Sequence, residues 1–247
     1  DLSKWDVSKV TKMDYMFWHA TSFNQQLCRY PWVSSKASKR SMFTGSAGSI
    51  LRELSTPIDS RMSLKRVVNA CLKLFPKGDF SDGDCTRRAI EHWDVSCVTE
   101  MHKIFDHAKF FDADISQWDV SSVTTMNSML AGANSFAGDL SKWNVSSVVD
   151  MSAMFLDAWA FNGDLLQWDV SRVTSMSSMF DNAKSFNCDI SNWDVSKVTK
   201  MRYMFRQARS FTQHLCGPAW TNSKANKVAM FTGSAGSIAL PQIVCTS

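Results

Sequence analysis

The sequence predicts an α/β repeat solenoid, a right-handed coil in which each 25-residue unit supplies one short parallel strand and one helix. Three observations predict it. Trp93, Trp118, Trp143, Trp168 and Trp193 recur at a fixed spacing of 25, with Trp5 as an outlying sixth copy. A period of this length marks units that bury their apolar faces only against their neighbours. Each Trp sits in the spacing Ile190-x-x-Trp193-x-Val195, where Trp and Val would share one strand face and Asp194 would point the other way. Behind it Val198, Met201, Met204, Phe205, Ala208 and Phe211 advance in steps of three and four, the stripe of a helix face, with Ser196 placed to cap it.

The same stripe returns as Val123, Met126, Met129, Leu130, Ala133 and Phe136, and twice more at 148–161 and 173–186. Stacking such units sets Trp on Trp and Met on Met, which assigns most of the 14 Met and 16 Phe to the core. Met suits that place because its flexible thioether fills uneven gaps beside aromatic rings. The open ends of such a stack need caps. One cap is written twice: residues 1–50 match 189–238 at a constant offset of 188, as in Trp5 and Trp193, Cys28 and Cys216, Met42 and Met230. The chain is therefore expected to hold the last repeat and C-terminal cap of one domain (1–50), an N-terminal cap (51–88), five repeats (89–213) and a closing C-terminal cap (214–247). Within 51–88, residues 62–74 have helical spacing, with Ser60 or Ser63 as the cap. Pro31 and Pro218 interrupt the pattern at equivalent places.

An apolar share of 45% with 20% charged residues fits a folded chain, and no run of 18 apolar residues offers a membrane span. The net charge of +4 is mild and its basic residues are scattered among acids, which argues against nucleic acid as a partner. The chain opens mid-repeat at Asp1 and is expected to be a fragment or a processed product. Seven cysteines form no C-x-x-C pair, so zinc of the usual spacing is not expected. Cys71 and Cys85 flank a compact loop, and Cys216 and Cys245 flank the C-terminal end. These four are candidate disulfide cysteines, which would place the chain in an oxidising compartment; buried thiols in a reducing one are the alternative.

The position after each Trp makes a file: Asp94, Asp119, Asn144, Asp169 and Asp194. It is a candidate surface ladder, for a cation or a partner. The competing structural reading is that each Asp accepts hydrogen bonds from the following Ser or backbone amides. Asn144-Val145-Ser146 is a glycosylation sequon, so Asn144 is a candidate glycan site. His102 and His107 stand five apart and make a poor metal pair. Gly-Ser-Ala-Gly-Ser at 45–49 and again at 233–237 reads as a structural turn. No catalytic residue, cofactor site or metal site is assigned. The repeat positions that vary most, including Lys200, Arg202, Arg206 and Gln207 in one unit and Asp150, Ser152, Leu156 and Asp157 in another, are expected to hold specificity.

The unit Asp-Ile-Ser-x-Trp-Asp-Val-Ser-x-Val-Thr-x-Met-x-x-Met-Phe, seen at 189–205, resembles the repeat of the BspA-like leucine-rich-repeat surface proteins. The resemblance covers 1–25 and 89–213, with departures at Leu130, Ala137, Asn144 and Leu166. It implies a leucine-rich-repeat-like coil, an extracellular or cell-surface location and a non-enzymatic role in protein–protein contact or structural assembly, by a protein partner or by self-association. The alternative is an adhesin that binds carbohydrate or a mineral surface with metal dependence.

Overall fold

A computed structural model describes residues 2, 5–27, 32, 35–50, 58–74 and 90–239. Cys28, Pro31, Cys85 and Cys245, and the stretch 51–57 where the domain boundary was expected, lie outside these residues. The chain divides into two compact units, Asp1–Asp59 and Ser60–Ser247.

In the second unit, successive 25-residue rungs stack on one another. Glu100, Thr125, Asp150, Ser175 and Lys200 pair as single parallel β-bridges, each to the next, and Lys200 pairs with Asn226 across a final step of 26. The strand expected around Trp193 is not there. Residues 190–193 and 195–198 are turns, with the Trp193 amide donating to Ile190 C=O (3.1 Å) and the Val198 amide to Val195 C=O (3.0 Å). The paired residue, Lys200, lies further along.

The expected helix of each repeat is also absent. In the rung 139–163, the Met154 amide returns to Met151 C=O (3.2 Å) and the Ala158 amide to Phe155 C=O (3.1 Å), closing four-residue turns. The amides between them point outward along the stack: Met151, Ala153, Phe155 and Asp157 donate to Ser175, Met179, Ser177 and Asp181 in the next rung, each within 2.8–3.0 Å, with Ala153 on Ser177 and Phe155 on Met179. The third residue of each turn has positive φ, 54° at Ala153 and 56° at Asp157, as a type II turn requires. A chain of such turns returns every third or fourth side chain to the core, so its apolar spacing imitates a helix. The physical reason the helix loses is width. Phe180 and Phe205, one rung apart, have ring centroids 5.7 Å apart, whereas packed helices need about 8–10 Å between axes. Flat turns let neighbouring backbones bond directly.

The core is a set of side-chain columns. Trp168 stacks on Trp193 at 6.4 Å, and Phe155, Phe180, Phe205 and Phe231 follow one another at 5.5–5.7 Å. Within a rung, Phe180 lies flat on Phe186 at 3.8 Å. Burying each such side chain contributes about 1.5–3 kcal/mol. Every inner Trp indole finds a partner in the rung before it: Nε1–H of Trp118, Trp143, Trp168 and Trp193 donates to the carbonyl of Ile90, Ile115, Leu140 and Leu165 at 2.9–3.1 Å.

Both ends of this unit are closed differently. Helix α1, Arg61–Leu74, is capped reciprocally by Ser60 and Ser63, whose amides each meet the other's hydroxyl (3.3 and 3.1 Å). It covers the first rung, buries Leu64, Val68 and Cys71, and spends two basic side chains on the rung's open edge. Arg61 Nε donates to His102 C=O at 2.7 Å and Lys65 Nζ to Ile104 C=O at 2.8 Å. At the other end a short helix α2, Pro218–Thr221, carries Trp220 into the Trp column, where its indole donates to Ile190 C=O at 3.1 Å. Strands His214–Leu215 and Ser237–Ile238 then pair in parallel.

The first unit repeats that closing arrangement. Strands Gln26–Leu27 and Ser49–Ile50 pair in the same register, Lys12 bridges to Ser38 across 26 residues, and the Trp32 indole donates to Leu2 C=O at 3.0 Å.

Candidate functional site

Asp94, Asp119, Asn144, Asp169 and Asp194 follow the Trp on the outer surface, but at the start of a turn rather than on a strand. In each, Oδ1 accepts the amide of the Ser two residues on, at 3.0–3.2 Å. At Asp94 and Asn144 it also accepts the Ser hydroxyl, at 2.6 and 2.7 Å. The direction of capping is thus the reverse of the expected one: Ser196 does not cap a helix, and its amide is capped by Asp194. The Ser196 hydroxyl and amide hold the Asp194 carboxyl below the ordinary 3.8, and Ser171 does the same for Asp169 although Asp194 opposes it. A second Asp file, with Asp114 and Asp139, caps the preceding turn through Ser116 and Ser141, which lower those carboxyls likewise.

These carboxylates are therefore structural acceptors first. Among the described residues no three His, Cys, Asp or Glu side chains come together as a metal set. Asn144 is exposed within its turn. The residues that follow each rung's last Phe also bond along the stack: Asp112 and Asn162 accept the amides of Ala137 and Asn187 at 2.8 and 2.7 Å.

The surface that differs from rung to rung lies over the turn segments. Asp181 is buried, 2% exposed, and takes both oxygens to Arg206 one rung on, with Nε at 3.0 Å and Nη2 at 2.6 Å. That guanidinium also lies over the Tyr203 ring at 4.6 Å, and the Asp181 hydrogen bonds raise its already high pKa. Next to this column, Lys184 Nζ sits 3.5 Å from the centre of the exposed Trp159 ring. Phe110 is exposed as well. Arg202 and Arg206 were expected among the variable positions; Trp159, Lys184, Tyr203 and Phe110 were not singled out. The signal was present, since each of these pairs joins residues 25 apart with opposite charge or cation and ring at one repeat position.

Cys71, Cys97 and Cys216 are disulfide-bonded, and Cys97 was not among the candidates. Cys85 and Cys245 lie outside the described residues. Cys188 is free and half-buried, and burial raises its thiol pKa. Among the described residues no helix is long and apolar enough to cross a membrane.

No curated protein and no solved structure matches the chain. One family does, in three segments, 1–55, 77–170 and 149–239, which together span most of the sequence. On that coverage the chain belongs to the family described as "Mycoplasma protein of unknown function, DUF285".

Proposed function

We propose that this chain is a non-enzymatic extracellular or cell-surface contact module, a leucine-rich-repeat-like solenoid in which turns replace the helix, and that it engages a protein partner through the variable turn face. The observation that carries this reading is the contrast between the two surfaces of the rung. The core repeats Trp, Met and Phe at every step, while the turn face offers Trp159, Tyr203, Arg206 and Phe110 singly. Trp, Tyr and Arg are the residue types that dominate binding energy at protein interfaces. The disulfides at Cys71, Cys97 and Cys216 support an oxidising, extracellular setting, and the resemblance to BspA-like surface proteins supports the same location.

The test is retention of the full chain on immobilised cell-surface proteins and on itself, with Trp159→Ala and Tyr203→Ala variants beside it. The reading expects protein binding that survives a chelator and weakens on the order of tenfold or more in the variants. Binding that follows carbohydrate or mineral and vanishes on chelation would overturn it in favour of the adhesin. Variants that bind as well as the parent would remove the turn face from the account.

A further inference from the structure

The first unit leaves one rung face bare. Trp5 is 51% exposed, Val10 39% and Met16 41%, whereas the residues 188 positions later, Trp193, Val198 and Met204, are 2%, 3% and 0% exposed. The bare residues line an open groove of about 510 Å³ together with Val7 and Met13. The backbone edge beside them is bare too. The carbonyls of Lys200, Arg202, Met204 and Arg206 accept amides from Met176, Ser178, Phe180 and Asn182 at 2.6–2.9 Å. Among the described residues nothing donates to the equivalent carbonyls of Lys12, Asp14, Met16 and Trp18. The Trp193 indole has Leu165 C=O as acceptor; the Trp5 indole has none among the described residues.

We infer that this face is a docking surface for one further 25-residue rung of the same repeat, running parallel and joined at the amino side of the rung it covers, as 164–188 is joined to 189–213. The second unit displays both known ways of covering such an edge. One is a preceding rung. The other is helix α1, with Arg61 and Lys65 on the His102 and Ile104 carbonyls. The residues of the bare rung match the first case. It carries Lys9 and Met16, like the rung-covered Lys197 and Met204, whereas the helix-covered rung carries a disulfide-bonded Cys97 and Ile104 at those positions. A rung brings what the face lacks: an Ile or Leu carbonyl for the Trp5 indole, alternate amides for the edge, and a Trp and Phe to continue the columns. Unpaired edges of this kind are templates for strand-like addition.

The experiment compares side-chain oxidation by hydroxyl radicals, read by mass spectrometry, in three full-length chains: the parent, the parent with a copy of 164–188 fused ahead of Asp1, and the parent with a copy of 60–88 fused there. In the parent, Trp5 and Met16 should oxidise at least ~10-fold faster than Trp193 and Met204, since susceptibility follows exposure. The added rung should bring Trp5 and Met16 down to the rates of Trp193 and Met204. A fused rung whose Trp and apolar positions are changed to Ser should not. Equal oxidation with and without the rung would overturn the inference. Protection by 60–88 as complete as by the rung would overturn it in favour of a capping helix. Protection already present in the parent, in a particle of twice the chain mass, would overturn it in favour of a second copy.

Discussion

Asp181 and Arg206 occupy the same repeat position one rung apart, and the Arg grips both oxygens of a carboxylate that is almost wholly buried. The pair spans two rungs as a clamp. Its Arg side remains 45% exposed, so solvent screens part of the attraction and the pair is worth less than a fully buried one. Truncating the cation leaves the carboxylate buried without its partner. Arg206→Met should therefore destabilise by about 1–3 kcal/mol. Leu156 holds the same position one rung before Asp181, so Asp181→Leu combined with Arg206→Met should recover most of that loss. Urea midpoints of the full chain with both variants check this, and a double variant worse than the single would refute it.

The turns can be told from helices by a glycine. Ala153 has a φ of 54°, where a Cβ costs roughly 1–2 kcal/mol, and glycine gives up about 0.5–1 kcal/mol of backbone entropy. Ala153→Gly should thus be neutral or stabilising by up to ~1 kcal/mol. In a helix the same change would cost about 1 kcal/mol. Thermal unfolding distinguishes the two signs.

Ala137 interrupts a column of side-chain acceptors. Asp112, Asn162 and Asn187 each accept the amide of the corresponding residue in the next rung, but Ala137 has nothing to offer Asn162. Ala137→Asn should add that bond and stabilise by about 0.5–1.5 kcal/mol. Slower hydrogen exchange at the Asn162 amide would accompany it; an unchanged rate would show the bond had not formed.

Acid should loosen the outer turns. The carboxyls of Asp169, Asp194, Asp114 and Asp139 sit below the ordinary 3.8 because Ser171, Ser196, Ser116 and Ser141 donate to them. A depressed folded pKa contributes stability that is present above the unfolded value and is lost as pH falls through the folded one. Urea midpoints should accordingly be flat from neutral pH to about 4.5 and decline below about 4. Replacing Ser171 and Ser196 with Ala should shallow that decline, and a slope unmoved by both changes would dissociate it from these turns.

Trp168 tests the indole bond separately from its bulk. Trp168→Phe keeps a ring in the column but leaves Leu140 C=O without its 3.0 Å donor; a buried acceptor stranded in this way costs about 1–3 kcal/mol. Trp168→Ala also opens a cavity and should cost about 3–5 kcal/mol. Two losses of equal size would mean that packing alone sets the role of the ring.

Much of the molecule was legible in its period. The 25-residue spacing names the buried Trp, Met and Phe columns, and the offset of 188 pairs Trp32 with Trp220 and Met42 with Met230 as equivalent cap residues. The helix expected over 62–74 runs from Arg61 to Leu74, because an isolated amphipathic segment satisfies its own backbone. The Asp file was legible as a file, and the hydrogen-bonding reading of it needed only the Ser two residues on. The rung itself was misread. Its stripe Met151, Met154, Phe155, Ala158, Phe161 fits a helix and a chain of turns equally well, because both return every third or fourth side chain to one side.

What decides between them is not in the stripe. An amide such as Ala153 N–H can bond within its own rung or to Ser177 of the next, and the second choice exists only once that neighbour lies within hydrogen-bonding distance. The same holds for Arg206 on Asp181 and Lys184 over Trp159. Sequence by itself determined which side chains are buried and which residues become neighbours, since a strict period specifies both. Tertiary structure alone decided how the backbone spends its hydrogen bonds, because half of those partners belong to the adjoining rung.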